Sequence, residues 1–391
     1  MDETIRREGY FIKSYNGLYE QMISDENILL AIKRAAKNKR KNNRRHKRLR
    51  HIRDNAGRYV ETVRQWIINF EPPHHVYKQI NDGISAKKRI IIVPTVEELI
   101  VHHAMINVLR PVLTLPMYEH SYGSIPGKGL HRGVRMVQKW LKADRYETTY
   151  CYKLDIKRFF QSVDQMVLLR KLKKHIRDDK FFSYVIKVVK TVPQGLPLGF
   201  ITSQWFANYY LTSLDHYIKE DLKIHYMIRF VDDIVMFHHD KTRLHAVRKA
   251  INNYMYRYLN IQVKENWQVF RVANSNARHY KGRMIDFLGF KFYRRHTGFR
   301  SSIALAIQRK AKRIHKKPKA NIKDARQIVT YSGFTKYANV HNWYTSHVAS
   351  CVDISHMRRL ISAYDRANYN ERMIRYAQIT SYDLSRAQEA G

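Results

Sequence analysis

Two adjacent acids, Asp232 and Asp233, are enclosed by apolar residues, Met227-Ile228 and Phe230-Val231 before them and Ile234-Val235-Met236-Phe237 after. The spacing predicts two strands of a tight hairpin over Ile228 to Phe237, with the acids at its turn. A carboxylate pair in such surroundings is unfavourable unless a cation compensates it. Mg2+ suits the site, because it takes hard oxygen ligands. An Asp-Asp β-turn with no ligand is the plain alternative for this segment taken alone.

A second acid stands in Lys153-Leu154-Asp155-Ile156-Lys157-Arg158-Phe159-Phe160. Asp155 closes an apolar strand predicted from Tyr150 to Leu154, where a lone acid also reads as a strand-end cap. Together the two segments offer carboxylates from separate elements. Two-metal phosphoryl transfer needs that, with ions about 3.5–4 Å apart. One ion would activate a primer 3′-hydroxyl, and the other would steady a triphosphate and the leaving pyrophosphate. The expected cofactor is a pair of Mg2+ ions, with Mn2+ as a substitute.

Charge points to a matching substrate. The 391 residues carry 72 Lys plus Arg against 33 Asp plus Glu, a net charge of +39. Such an excess repels itself unless a polyanion neutralises it, and nucleic acid is the usual one. A ribosomal-type structural protein or a membrane-surface binder would share the charge. Cys151 and Cys351 cannot make a disulfide framework, and no CxxC pair offers a zinc site. A reducing, cytoplasmic setting is expected. No signal peptide or membrane span of about 18 apolar residues is legible.

Three regions are predicted. Residues 1–60 read as a basic, RNA-binding extension; Arg44, Arg45, Lys47 and Arg48 lie in its run Lys33 to Arg53, either a helix against phosphates or a partly disordered arm. Residues 61–300 mix strand and helix patterns. Arg89 to Pro94 reads as a buried strand, Thr95 to Leu109 as a helix capped by Thr95, Gly195 to Gly199 as a turn, and Ser203 to Leu214 as an apolar helix. Residues 301–391 read as helical and basic, with Lys310, Arg313, Lys316 and Lys317 in a run that Pro318 ends. The fold class expected is α+β.

At these residues the chain resembles reverse transcriptases. LDIKRFFQSVD is similar to their motif A, and RFVDDIVMF to their YxDD motif C, with Phe230 at the tyrosine position. The resemblance runs in order over about 75–300. It implies a right-hand polymerase of fingers, palm and helical thumb. It makes Asp155, Asp232 and Asp233 catalytic, Asp233 more loosely, and places Ile156 with them in the metal set. Phe160, five residues after Asp155, falls at the steric gate that excludes a ribose 2′-hydroxyl, although core packing would also explain one of the two aromatics. Lys87 and Arg89 match the strand that meets the incoming triphosphate. Leu99 stands where an arginine is usual in the helix that follows.

In motif B, Pro193-Gln194-Gly195 competes with Leu198-Gly199-Phe200-Ile201-Thr202-Ser203-Gln204. The second register fits better, because Ser203 and Ala207-Asn208 then fall in place. It puts Leu198, Gly199 and Gln204 at the nucleotide. The form LGxxxSQ is similar to reverse transcriptases of diversity-generating retroelements, which copy a template RNA with errors at adenines. Leucine in place of glutamine removes a hydrogen bond near the sugar, so lowered fidelity is expected. Lys264 matches the motif D lysine that protonates pyrophosphate. Ile285 to Tyr293 resembles the primer-grip hairpin, and Tyr331 to Tyr344 resembles a segment of retroelement enzymes.

The expected activity is RNA-directed DNA synthesis on a dedicated structured RNA, with a DNA primer or cDNA, dNTPs, and a small accessory protein as further partners, and no membrane. Antiphage defence on a non-coding RNA is the alternative role. A non-catalytic, maturase-like RNA scaffold is the alternative of another class, which the three acids argue against.

Overall fold

The computed structural model describes residues 14–37, 39, 43–82, 87–275 and 281–367, the side chains of 81, 82 and 87 excepted. The described residues fall into two compact units. One runs to Val272 and takes in Lys281–Arg283; the other holds 273–275 and Met284 onward.

The first unit opens with helices α1 (Leu18–Ile23), α2 (Asp25–Ala36), α3 (Arg44–Asp54) and α4 (Val60–Ile68). In α2 the residues Ile28, Ala31, Ile32 and Ala35 recur at helical spacing and are all buried. Only Leu49 and Ile52 of α3 are buried. That narrow apolar edge docks the basic helix on α2 and, further on, α5.

Strands β1 (Val76–Asp82) and β2 (Lys87–Val93) pair antiparallel, and Pro94 follows the second. Helix α5 (Val96–Thr114) then begins at the expected residue. The Thr95 hydroxyl accepts from the Glu98 N–H at 3.1 Å, and the Glu98 carboxylate accepts from the Thr95 N–H at 3.2 Å. The helix runs five residues past the expected Leu109, with Pro111 inside it.

A five-stranded sheet is the centre of this unit. After β3 (Ser121–Tyr122) come α6 (Leu130–Ala143) and β4 (Tyr150–Asp155). Helices α7 (Phe159–Ser162), α8 (Gln165–Lys173), α9 (Asp179–Val189), α10 (Ile201–Tyr210) and α11 (Thr212–His216) lead to β5 (Tyr226–Phe230) and β6 (Asp233–His238). Then follow α12 (Lys241–Leu259) and β7 (Gln268–Arg271). The strand order is β3-β5-β6-β4-β7, and β3 with β5 is its parallel pair. Ile234, Val235, Met236 and Phe237 are all buried, so β6 is covered on both faces. That explains why its sequence is a continuous apolar run rather than an alternation. Leu244, Val247, Ile251, Met255 and Leu259 form the inner stripe of α12, which packs on β4, β6 and β7.

In the second unit, β8 (Ile285–Phe287), β9 (Phe290–Phe292) and β10 (Thr297–Phe299) form an antiparallel meander on buried Phe287, Phe290 and Phe292. The hairpin expected from Ile285 to Tyr293 is its first part. Helices α13 (Ser301–His315), α14 (Ile322–Thr335) and α15 (His341–Tyr344) follow. The α13 helix ends three residues ahead of Pro318, whose ring disfavours helix in the residue before it. No helix among the described residues is long and apolar enough to cross a membrane.

Candidate active site

Asp155 is the last residue of β4 and Asp233 the first of β6, and the ladder sets them directly opposite. Phe230 pairs with Asp233 across β5 and β6, leaving Val231 and Asp232 as a two-residue turn. Three carboxylates from two segments are thus collected at one end of one sheet. Such turns need a positive φ, and Val231 supplies it at +59°. A β-branched residue rarely adopts that conformation. Gly123 leaves the room for it, since a Cβ there would stand 2.8 Å from Val231 Cγ2.

The carboxylates crowd one another. Burial, and next the Asp155 carboxylate, push the Asp232 carboxyl up to about 6. Asp155 Oδ2 is paired with the Lys264 ammonium, whereas its buried Oδ1 has no hydrogen-bond partner among the described residues. Lys153 Nζ lies 3.8 Å from Asp233 Oδ2. The Lys264 N–H donates to the Asp155 carbonyl at 2.8 Å, and the Lys157 N–H to the Gln262 carbonyl at 2.9 Å. Ile156, buried, bridges Val263 between these two bonds. A buried carboxylate oxygen without a donor, beside a second carboxylate that resists ionisation, fits a hard divalent cation.

Phe159 is the core member of its aromatic pair and Phe160 is half-buried, their rings 5.7 Å apart. The Phe160 carbonyl accepts from the Leu196 N–H at 2.6 Å. Gly195, at φ +73°, is held so close that a Cβ there would lie 2.4 Å from that carbonyl. The Gln165 side-chain amide donates to the carbonyls of Val189, Val192 and Gly195 and stiffens the turn. Further along the loop, the Leu198 carbonyl accepts from the Ile92 N–H at 2.7 Å. Gly199 runs against the Ile92 carbonyl, where a Cβ would stand 2.2 Å away. The loop therefore joins the Phe160 segment to strand β2. Arg89 is exposed on that strand, and Gln204 is exposed on α10. Lys87 lies in the β2 ladder, but its side chain is outside the described residues.

The basic candidates divide by burial. Arg44 and Lys47 are exposed, Arg45 is half-buried and Arg48 is paired with Glu97. Burial holds the Arg45 guanidinium below its usual range. Arg313 and Lys316 are exposed. Lys310 is buried, with its ammonium 2.7 Å from Asp324 Oδ1, and Lys317 meets Asp324 Oδ2 at 2.6 Å. The Lys310 charge is thus neutralised inside its own unit, so it presents nothing to a phosphate.

Sequence reasoning passed over Gln165, Lys153 and Arg229. The signal for Arg229 was a cation inside the apolar run before the acids. Glu147, His238 and His239 also gather ligand atoms within 4.8 Å, at the other end of β6. There His239 Nδ1 bonds Glu147 Oε1 at 2.8 Å and His238 Nδ1 accepts from the Asp240 N–H at 2.9 Å, so both Nδ1 atoms are already engaged.

The model of the family described as reverse transcriptase (RNA-dependent DNA polymerase) matches residues 78–292, more than half the chain. The chain belongs to this family. The matched span holds Asp155, Asp232, Asp233 and Lys264, and the five-stranded β3–β7 sheet lies within it. Protein YkfC of Escherichia coli K12 is 24% identical over 209 residues, 50% of this chain and 49% of that one. The chain thus spans about half the length of that curated relative. Telomerase from Candida albicans in complex with a fragment of telomeric RNA is 13% identical, covering 80% of this chain and 63% of that chain, with a TM-score of 0.43. Telomerase from Candida tropicalis with the same kind of fragment is 12% identical over 80% of this chain and 58% of that chain, at 0.45. These two likenesses are too loose to bear on function.

Proposed function

We propose that the protein is an RNA-directed DNA polymerase that extends a primer by metal-assisted nucleotidyl transfer at Asp155, Asp232 and Asp233. The observation that carries this reading is the convergence of the three carboxylates at one sheet end, with Asp155 Oδ1 left without a donor among the described residues. Asp155, Asp232 and Asp233 would hold Mg2+, or Mn2+ in its place, with Ile156 offering its main-chain carbonyl. The metal, when bound, supplies charge to activate the primer 3′-hydroxyl and to neutralise the triphosphate.

The chain's own groups do the rest. Lys264 yields Asp155 and stands ready to give a proton to departing pyrophosphate. Lys87 and Arg89 meet the triphosphate. Phe160 excludes a 2′-hydroxyl, and Leu198 and Gly199 of the loop, with Gln204 of α10, line the nucleotide. Arg44, Arg45, Lys47 and Arg48, with Arg313, Lys316 and Lys317, track template and primer phosphates, the exposed ones most directly.

The LGxxxSQ form supports a diversity-generating retroelement, acting in the cytoplasm on a dedicated structured RNA, with a small accessory protein. A neighbouring pair of variable-protein repeats tests that role; a short non-coding RNA within a defence island would favour antiphage defence instead. The test of the activity is dNTP incorporation on a primed RNA template with Mg2+, comparing the chain with its Asp232→Ala, Asp233→Ala double variant. Synthesis is expected in the first and lost in the second. Silence of both, even with RNA co-purified from cells, would favour an RNA scaffold.

A further inference from the structure

We propose that Arg229 is a positioning residue of the catalytic turn: its buried guanidinium fixes the Val231 carbonyl and thereby sets Asp232 beside Asp155. This rests on the polymerase reading above.

Arg229 and Asp215 are both fully buried. Arg229 Nε donates to Asp215 Oδ1 at 2.8 Å and Nη2 to Asp215 Oδ2 at 2.6 Å. Its Nη1 reaches Asn208 Oδ1 at 3.1 Å and the Val231 carbonyl at 3.0 Å. Ser121 Oγ donates to Asp215 Oδ2 at 2.8 Å, and Asn208 Nδ2 to the Gly123 carbonyl at 3.1 Å. Helices α10 and α11 meet on the guanidinium that β5 carries beneath the turn, and Ser121 of β3 braces Asp215 behind it.

Stability alone is a poor reason for such a pair. Desolvating two charges offsets much of their attraction, and apolar replacements of buried pairs are often neutral. The turn supplies a better reason. Val231 sits in the left-handed region, a strain of order 1–3 kcal/mol that persists only where the surroundings over-determine it. Two bonds do so here: the Val231 N–H to the Tyr122 carbonyl at 3.3 Å, and Arg229 to the Val231 carbonyl. Without the second, the turn is free to relax, and Asp232 moves with it. A lysine keeps the charge but lacks the planar fork that spans Asp215, Asn208 and Val231 at once.

The experiment measures Mn2+ binding to the full chain by calorimetry, alongside thermal unfolding and steady-state dNTP incorporation. Arg229→Lys is expected to weaken Mn2+ binding about tenfold, the scale seen for groups that orient metal ligands. The kcat falls with it, while the KM for dNTP stays within about twofold. Adding Val231→Gly, which adopts the positive φ freely, shrinks the effect on Mn2+. A merely structural role lowers Tm and leaves Mn2+ affinity as it was, and that result overturns the proposal. Should Arg229→Lys fail to fold, Asn208→Ala removes one support of the guanidinium and keeps its charge. It is expected to weaken Mn2+ binding in the same direction, and unchanged affinity there also overturns the proposal. An unaltered chain that neither binds Mn2+ nor makes DNA sinks the polymerase reading and this one with it. A competent chain with an indifferent Arg229 sinks this one alone.

Discussion

The Lys264 ammonium is bound to the Asp155 carboxylate, and the Lys264 N–H donates to the carbonyl of the same aspartate at 2.8 Å. The backbone bond fixes the lysine, and the side chain occupies an oxygen that a divalent cation would use. On the proposed function, lysine and metal would therefore compete for Asp155. Lys264→Gln is expected to tighten Mn2+ binding several-fold and to lower turnover about 100-fold, the range lost with a general acid. Calorimetry and single-turnover incorporation separate the two effects. Affinity and turnover falling together would rule out the competition.

Asp232 makes a stability prediction of unusual sign. Its folded carboxyl is raised to about 6, above the usual 3.8. A raised carboxyl favours the folded state fully below about pH 4, and that contribution is lost as pH rises through 6. At pH 8 the metal-free protein therefore carries an unfavourable ionisation. Asp232→Asn should be more stable there by about 1–3 kcal/mol, a gap that closes near pH 4. Thermal unfolding at both pH values, with DNA synthesis abolished throughout, checks it. Saturating Mn2+ should stabilise the unaltered protein and leave the variant behind.

The Phe160 gate is expected to depend on the loop that holds its carbonyl. Phe160→Ala should raise ribonucleotide use relative to deoxynucleotide about tenfold or more. Gly195→Ala puts a methyl group against backbone at a positive φ, and should destabilise by about 2 kcal/mol or more. It should also blur the same discrimination. A folded Gly195→Ala enzyme with an unchanged ratio would detach the gate from the loop.

In the second unit, hydrogen bonds from Lys310 and Lys317 hold the Asp324 carboxyl down, at about 2. A depressed carboxyl stabilises above its unfolded value, and the contribution is lost as pH falls from about 4 through 2. Lys310→Met breaks the buried pair and should cost about 3 kcal/mol at neutral pH. It should also flatten the acid limb of unfolding. Because the Lys310 charge is internal, RNA affinity should fall less than with Arg313→Ala, which filter binding at low salt can compare.

The strands and the caps were legible because their causes are local. Period, proline and the Thr95-Glu98 spacing act within a few residues, so β2, α5 and the β5–β6 hairpin lie along the chain where the pattern puts them. But β2, expected to be buried, belongs to a two-stranded ribbon with Arg89 and Ile90 exposed, and Asp233 opens β6 instead of sharing the turn with Asp232. The length of α5 was not legible: burial on nearly all sides carries it past Pro111. Lys310 reads as one more cation in a basic run, and only its meeting with Asp324, fourteen residues on, makes it an internal group.

By itself the sequence determined which groups could do chemistry, since adjacent acids between apolar runs, and a third acid closing a strand, are properties of residue order. Tertiary structure decided what those groups do to one another. Asp155 faces Asp233 because β4 and β6 pair in one register, and Lys264 reaches Asp155 from over a hundred residues away. Gly195 locks onto Phe160, and Arg229 finds Asp215, Asn208 and Val231 beneath the turn. A carboxylate's charge state and a turn's strain depend on neighbours within a few ångströms. Long-range packing, not residue order, chooses those neighbours.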